Sequence, residues 1–329
     1  MGDVAMTVPV LNILSLTYPK LKFTIITKPN FKPLFEDIPN LNIIETDLYG
    51  KHKGLRLLNL AKEAKNLGID AVADLHNVIR SKIITRYFKI NGIKVVTIDK
   101  GRSGKRALTR KKNKKFISLK TTHQRYADVF AELGFPIDLT NKINPERRVL
   151  TEKLQGIIGR EPKKCIGIAP FAAFKSKMYP IDLMEKVISF LSEKNQFRIL
   201  LFGGGTEEIL ILNELEKKYT SVTNVAGEIS FKEELSLISN LDLMVSMDSG
   251  NGHLAALFEI PVVTLWGVTH PYAGFVPFGQ PEENRLLANR EKHPLIPTSV
   301  YGNKYPKGYE RAIRTISPET IVNKIMDLI

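Results

Sequence analysis

Short runs of β-branched and apolar residues alternate along the chain with longer segments whose apolar positions recur at helical spacing. In the first half, Phe23–Thr27, Asn42–Glu45, Ala71–Leu75 and Val95–Asp99 predict strands. In the second half, Cys165–Pro170, Arg198–Phe202, Val222–Val225, Leu243–Met247 and Val262–Trp266 do so. Between them, Leu55–Leu67, Ile181–Glu193, Glu207–Lys218, Lys232–Ser239 and Gly252–Phe258 predict helices. Nearly uninterrupted apolar strands alternating with helices imply parallel α/β units whose sheet is covered on both faces. The rhythm breaks around Thr140–Lys164, where Asn, Pro and charged residues cluster. Two doubly wound domains are therefore expected, residues 1–150 and 151–329, with a cleft between them. Pro318 predicts the start of a last helix, Glu319–Ile329, of a kind that can pack back on the N-terminal domain. The chain opens on a helical stretch rather than a strand. Either the fold starts on a helix, or the first strand of the N-terminal sheet is missing.

Composition narrows the class. The 329 residues are 43% hydrophobic and 25% charged, the balance of a soluble globular protein. No stretch approaches the roughly 20 apolar residues of a membrane-spanning helix, and nothing at the N-terminus reads as a secretory signal. A single cysteine, Cys165, excludes a disulfide framework and a multi-cysteine zinc site. The six histidines show no paired metal-ligand spacing. These features point to the cytoplasm.

Charge divides unevenly. Residues 1–150 carry 28 Lys and Arg against 13 Asp and Glu, while residues 151–329 carry 20 against 21. A positive field in one half suits a polyanion, although a merely solubilising surface is the other reading. Nine of the sixteen residues from Lys100 to Lys115 are Lys or Arg, with no acid among them. Their glycines and weak apolar periodicity predict a mobile loop. It is either a solvated insertion or a contact for phosphate or anionic lipid.

Four clusters carry candidate chemistry. In Val245-Ser246-Met247-Asp248-Ser249-Gly250-Asn251-Gly252-His253, a strand runs into a small-residue turn and then a helix. Free backbone N–H groups at such a turn bind anions, unless Asp or Ser simply caps the helix. Ala169–Pro180 also joins strand to helix and offers Lys175 and Lys177. Phe202-Gly203-Gly204-Gly205-Thr206-Glu207-Glu208 is a third such turn, without the dinucleotide spacing. Its glutamates serve either a ribose or the helix dipole. Gly2-Asp3 at the start, also readable as a helix cap, and Asp74–Ser81, a polar strand end whose role is open, are further polar sites in the first half.

Taken in order, these motifs resemble glycosyltransferase family 9, the ADP-heptose:lipopolysaccharide heptosyltransferases and their relatives. The resemblance runs from Gly2-Asp3-Val4 and Thr7-x-Pro9 through Asp74-Leu75, Arg80-Ser81 and Lys177-x-Tyr179-Pro180. It continues through Gly203–Glu207 to Asp248-Ser249-Gly250-x-x-His253-Leu254-Ala255-Ala256, its most specific block, and then Pro261–Gly267. It implies a GT-B fold of two Rossmann-like domains, with a first strand before Gly2-Asp3 that this chain lacks. It also implies inverting, metal-independent transfer of heptose or a related sugar from an ADP-sugar to a lipid-linked core saccharide, with no cofactor. Asp3 matches the family's general base, and Lys177 the lysine that neutralises the departing diphosphate. Ser249 and Gly250 match the phosphate-holding helix start, shaped by Asp248 and His253, and Glu207 matches the ribose-binding carboxylate. Ala172 and Ala173 stand where the family has hydroxyl residues, leaving main-chain N–H groups for the donor. The expected acceptor is a phosphorylated lipid-linked saccharide, met by Arg80, Lys105, Arg106, Arg110, Lys111 and Lys112. The expected site of action is the inner face of the cytoplasmic membrane, with no nucleic-acid partner. Two rivals compete with this reading: a non-catalytic nucleotide-sugar- or glycan-binding relative, and a basic nucleic-acid-binding protein.

Overall fold

The computed structural model describes residues 1–47, 50–141, 143–159 and 161–329. In chain order the elements begin α1 (Gly2–Ala5), α2 (Thr7–Thr17), β1 (Phe23–Thr27), β2 (Leu41–Glu45), α3 (Leu57–Asn66), β3 (Ala71–Asp74), α4 (Ile79–Ile90) and β4 (Lys94–Thr97). Then follow α5 (Arg102–Thr109), α6 (Thr122–Leu133), α7 (Glu152–Ile158), β5 (Lys164–Ala169), α8 (Ile181–Glu193), β6 (Phe197–Leu201), α9 (Thr206–Lys218) and β7 (Val222–Asn224). The chain closes with α10 (Phe231–Ile238), β8 (Leu243–Met247), α11 (Gly250–Ala256), β9 (Val262–Trp266), β10 (Arg285–Leu287) and α12 (Pro318–Met326). Two compact units result. One holds Asp3–Arg102 and Lys120–Ile143, the other Ser103–Leu119 and Asn144–Ile329.

The second unit is built on a six-stranded sheet in the order β10-β9-β8-β5-β6-β7, every pair parallel. All five residues of β8 and of β9 are buried, as strands covered on both faces must be. Helix α8 presents Met184, Val187, Ile188 and Leu191, an i, i+3, i+4, i+7 stripe, to Ile166, Ile168, Ile199 and Leu201 of the sheet. Helix α10 begins with a capping box in which the Ser230 hydroxyl accepts from Glu233 N while Glu233 accepts from Ser230 N. Helix α12 buries Ile321, Val322 and Ile325 in the same core, beside α8. The last helix thus packs within its own unit. Cys165 is buried in β5, where burial pushes its thiol up to about 12, so it packs as a small apolar side chain.

The first unit follows the same plan with a gap. Strands β1 and β2 form one parallel pair, and β3 and β4 another. Ile26 of β1 and Val72 and Val95 of the other pair all pack on one cluster with Leu57, Leu60, Ala61 and Ala64 of α3 and Phe88 of α4. In the second unit β5 bonds both β6 and β8. Among the described residues, no strand does this for β1 and β3. Both are only half-buried over most of their length. Two-stranded pairs are weak alone, so this unit depends on its helices. Native-state hydrogen exchange is expected to find the amides of β1 and β3 exchanging at least about tenfold faster than those of β5 and β8. Equal protection would mean that the helices compensate fully.

The segment expected to be a mobile loop is instead ordered and docked. Residues 102–109 form α5, which turns Lys105 and Leu108 inward. Inward residues three apart are a helical signal, but one of them is a lysine and did not count as apolar. The Lys105 ammonium lies over the Phe275 ring, 4.0 Å from its centroid. Farther on, the Arg290 guanidinium covers Phe116 at 3.5 Å, and the same ring meets His270 and Tyr272 edge-on and tilted. Lys114 donates to the carbonyls of Leu295 and Pro297, and Leu119 N donates to Tyr272 O. Burial and the neighbouring Arg290 push Lys114 down to about 8 and hold His270 near 4. Seven cations of the basic run therefore belong with the second unit, and the positive field is not confined to the first.

Candidate active site

Strand order in the second unit reverses at β5, which has β6 on one side and β8 on the other. In open parallel sheets, ligands bind beyond the carboxyl ends of the strands at such a switch point. The loops leaving β6, β5, β8 and β9 follow one another along that edge. They contain, respectively, Gly203–Gly205 (leading into Glu207 and Glu208 in the first turn of α9), Ala172–Lys177, Asp248-Ser249 and Gly267–Thr269.

Two of these loops meet through charge. Ala169 and Ser246 are register partners on β5 and β8, so their loops start side by side. The Lys177 ammonium lies 2.9 Å from Asp248 Oδ2, and both side chains are nearly buried, 13% and 9% exposed. The Thr269 hydroxyl, from the loop after β9, donates to the same Asp248 oxygen at 2.8 Å. The lysine is held from behind by missing side chains. A Cβ on Gly267 would collide with the Ser176 carbonyl, and one on Gly302 would come within 2.7 Å of Lys177 Cγ and Cδ. The Ser176 hydroxyl donates to Gly302 O. Gly302 also sits at φ +86°, which favours glycine.

The turn into α11 is not a plain side-chain cap. Ser249 is extended and makes no side-chain cap bond. Its hydroxyl lies 3.3 Å from that of Ser246, which itself accepts from Gly252 N at 3.0 Å. Asp248 faces Lys177 and Thr269 instead of the helix. Ser249 and Gly250 stay partly exposed at the helix start, with His253 buried one turn along. Tyr179, just past the lysine, belongs to the core, its N–H on Met247 Sδ and its hydroxyl on Ile316 O.

In the glycine turn the two glutamates separate. Glu208 Oε2 accepts from Gly204 N at 2.8 Å and closes the turn, whereas Glu207 is exposed. Ala172 is half-buried and Ala173 exposed on the neighbouring loop.

In the first unit, Asp3 is exposed in α1, and its carbonyl accepts from the Tyr126 hydroxyl at 3.2 Å. Burial, reinforced by the Asp3 charge, holds the Tyr126 phenol well above its ordinary range. Asp74 is structural: its carboxylate accepts from His76 N, Asn77 N and the Ser81 hydroxyl, which sets the turn into α4. That turn places Arg80, exposed, in the first turn of α4. Burial and Lys100 lower His76, while Asp3 and Asp74 act in the opposite direction. His76 and Tyr126 thus share electrostatics with Asp3, a grouping that no spacing in the sequence announced. Of the basic run, Arg106, Arg110, Lys111 and Lys112 are exposed, but Lys105 is buried under its aromatic contact.

Sequence reasoning did not name Thr269 or Gly302. Thr269 had a signal: it is the polar residue three positions past an apolar strand, at the same edge as the named loops. Gly302 had none, since its partner lies 125 positions away. Among the described residues no group of three or more His, Cys, Asp and Glu is arranged to hold a metal ion. No helix among them is long and apolar enough to cross a membrane.

Comparison with known proteins bears on the family and the fold. The model of glycosyltransferase family 9 (heptosyltransferase) matches residues 57–301. Lipooligosaccharide heptosyltransferase 2 of Campylobacter jejuni is 24% identical over all of this chain and 95% of its own length. Lipopolysaccharide heptosyltransferase 3 of Escherichia coli is 24% identical over 82% of this chain and 80% of its own. Among solved structures, a family 9 glycosyl transferase from Veillonella parvula superposes with a TM-score of 0.74 at 17% identity, covering 100% of this chain and 94% of that one. The E. coli heptosyltransferase WaaC, solved with ADP, gives 0.66 at 17% identity, covering 100% and 97%. The fold is accordingly GT-B-like. With a strand-edge lysine, an aspartate–serine–glycine turn and a family match across most of its length, this chain belongs to glycosyltransferase family 9 and is a glycosyltransferase.

Proposed function

We propose that the protein is an inverting heptosyltransferase that moves heptose from ADP-heptose to a phosphorylated, lipid-linked core saccharide at the cytoplasmic face of the inner membrane. The observation that carries this reading is the convergence of Lys177 and the Asp248-Ser249-Gly250 turn at the switch point of a parallel sheet. A cation and main-chain amides together suit a diphosphate. In the proposed reaction the acceptor hydroxyl oxygen attacks the anomeric carbon while Asp3 removes its proton. The anomeric C–O bond breaks on the opposite side, and its electron pair leaves with ADP. Lys177 and the amides at Ser249 and Gly250 stabilise the charge that gathers on the diphosphate. Glu207 meets the ribose, the main chain at Ala172 and Ala173 meets the donor, and His253 shapes the turn. Arg80, Arg106, Arg110, Lys111 and Lys112 supply positive charge for acceptor phosphates and an anionic lipid surface, with Lys105 anchoring α5, which carries Arg106. No metal or cofactor enters this scheme.

Turnover of ADP-heptose with a heptose-deficient lipid acceptor tests the reading. Asp3→Asn is expected to lower kcat by about 10²–10⁴-fold, the usual worth of a general base, with ADP affinity nearly unchanged. A variant retaining most of its turnover would remove Asp3 from that role.

A further inference from the structure

Resting on the reading of Lys177 as the diphosphate-binding cation, we propose that Asp248 is an internal counter-anion that the diphosphate displaces, and that Thr269 is the positioning residue that makes the exchange possible. Three observations lead there. First, the Lys177 ammonium pairs with Asp248 Oδ2 at 2.9 Å, and the Thr269 hydroxyl donates to the same oxygen at 2.8 Å. Second, all three side chains are largely shielded, with Thr269 only 1% exposed. An unpaired ammonium or carboxylate is costly in such a place. Third, Gly267 lies close against the Ser176 backbone and Gly302 against Cγ and Cδ of Lys177, leaving Cε and the ammonium beyond them to move.

The consequences follow from charge. Without ligand, Asp248 satisfies the ammonium and keeps Lys177 oriented into the site. An arriving diphosphate carries more negative charge than the carboxylate and draws the ammonium to itself. A lysine can be handed over in this way because its charge is compact and its stem flexible, unlike the planar fork of an arginine. Once the ammonium leaves, Asp248 remains a shielded anion near a second anion. The Thr269 hydroxyl stays on Oδ2 and limits that cost. Affinity for the donor is therefore the difference between two lysine partnerships, and Thr269 sets the balance.

Calorimetric titration with ADP, which lacks the transferred sugar, and separately with inorganic pyrophosphate tests the exchange. Asp248→Asn keeps the shape but removes the competing charge, and is expected to bind ADP about tenfold more tightly than wild type. Thr269→Val is expected to bind it about tenfold more weakly, because a hydrogen bond to a buried charge is lost. In the Asp248→Asn background, Thr269→Val should change little. A merely structural threonine would weaken binding equally in both backgrounds, and that result overturns the proposal. So does an Asp248→Asn variant that binds no more tightly than wild type. If pyrophosphate shows the expected pattern but ADP does not bind, the exchange stands and the nucleotide-sugar reading falls. If wild type binds neither, both fall.

Discussion

Replacing Lys177 by alanine is expected to lower turnover of the sugar donor by about 10²–10³-fold, the loss seen when one preorganised donor to a developing anion is removed. Lys177 is nearly buried, and its stem packs against the backbone of Gly302, so water cannot readily take its place. The same change leaves Asp248 shielded with only the Thr269 hydroxyl on Oδ2. Breaking a buried ion pair from one side costs about 3–5 kcal/mol, so the variant should also melt earlier. The two effects separate in the double variant Lys177→Ala with Asp248→Ala. Removing the stranded carboxylate should restore much of the melting temperature while turnover stays low. If the double variant regains turnover along with stability, Lys177 acts on folding alone.

A second large effect lies away from the site. Glu234 on α10 is pushed up to about 7 by burial. Its ordinary value is 4.5, so between these limits the folded state binds more protons than the unfolded one. The stability tied to this proton is fully present below about pH 4.5 and is lost as pH rises through 7. The shift corresponds to about 3 kcal/mol lost at pH 8. Glu234→Gln keeps the shape without the charge. It should recover that amount at pH 8 and flatten the stability profile between pH 4.5 and 7, read by denaturant unfolding at several pH values. An unchanged profile would show that Glu234 reaches water.

Much of the fold was legible because its signal is local. The predicted strands Phe23–Thr27, Leu243–Met247 and Val262–Trp266 and the helix Ile181–Glu193 match the observed elements, since apolar runs and a four-residue stripe report burial directly. Other elements were less visible. Helices α4 and α6 were not predicted, although α6 has a Thr121 cap and a Gly134 stop. Helix α5 hides its inward face behind a lysine.

The site divides in the same way. Motif order alone brought forward Lys177, Asp248, Ser249 and Gly250, because strand–turn–helix junctions at one sheet edge share a chemistry. The sequence by itself determined the family, the α/β alternation and the loops that carry charge, all of which depend on neighbours within a few positions. Tertiary structure alone decided that Asp248 faces Lys177 rather than its own helix, that Thr269 shares its oxygen, and that residues 103–119 dock on the second unit through Lys114 and Phe116. Each of these depends on strand order and on groups far apart in the chain, and such pairings leave no periodicity for a sequence to display.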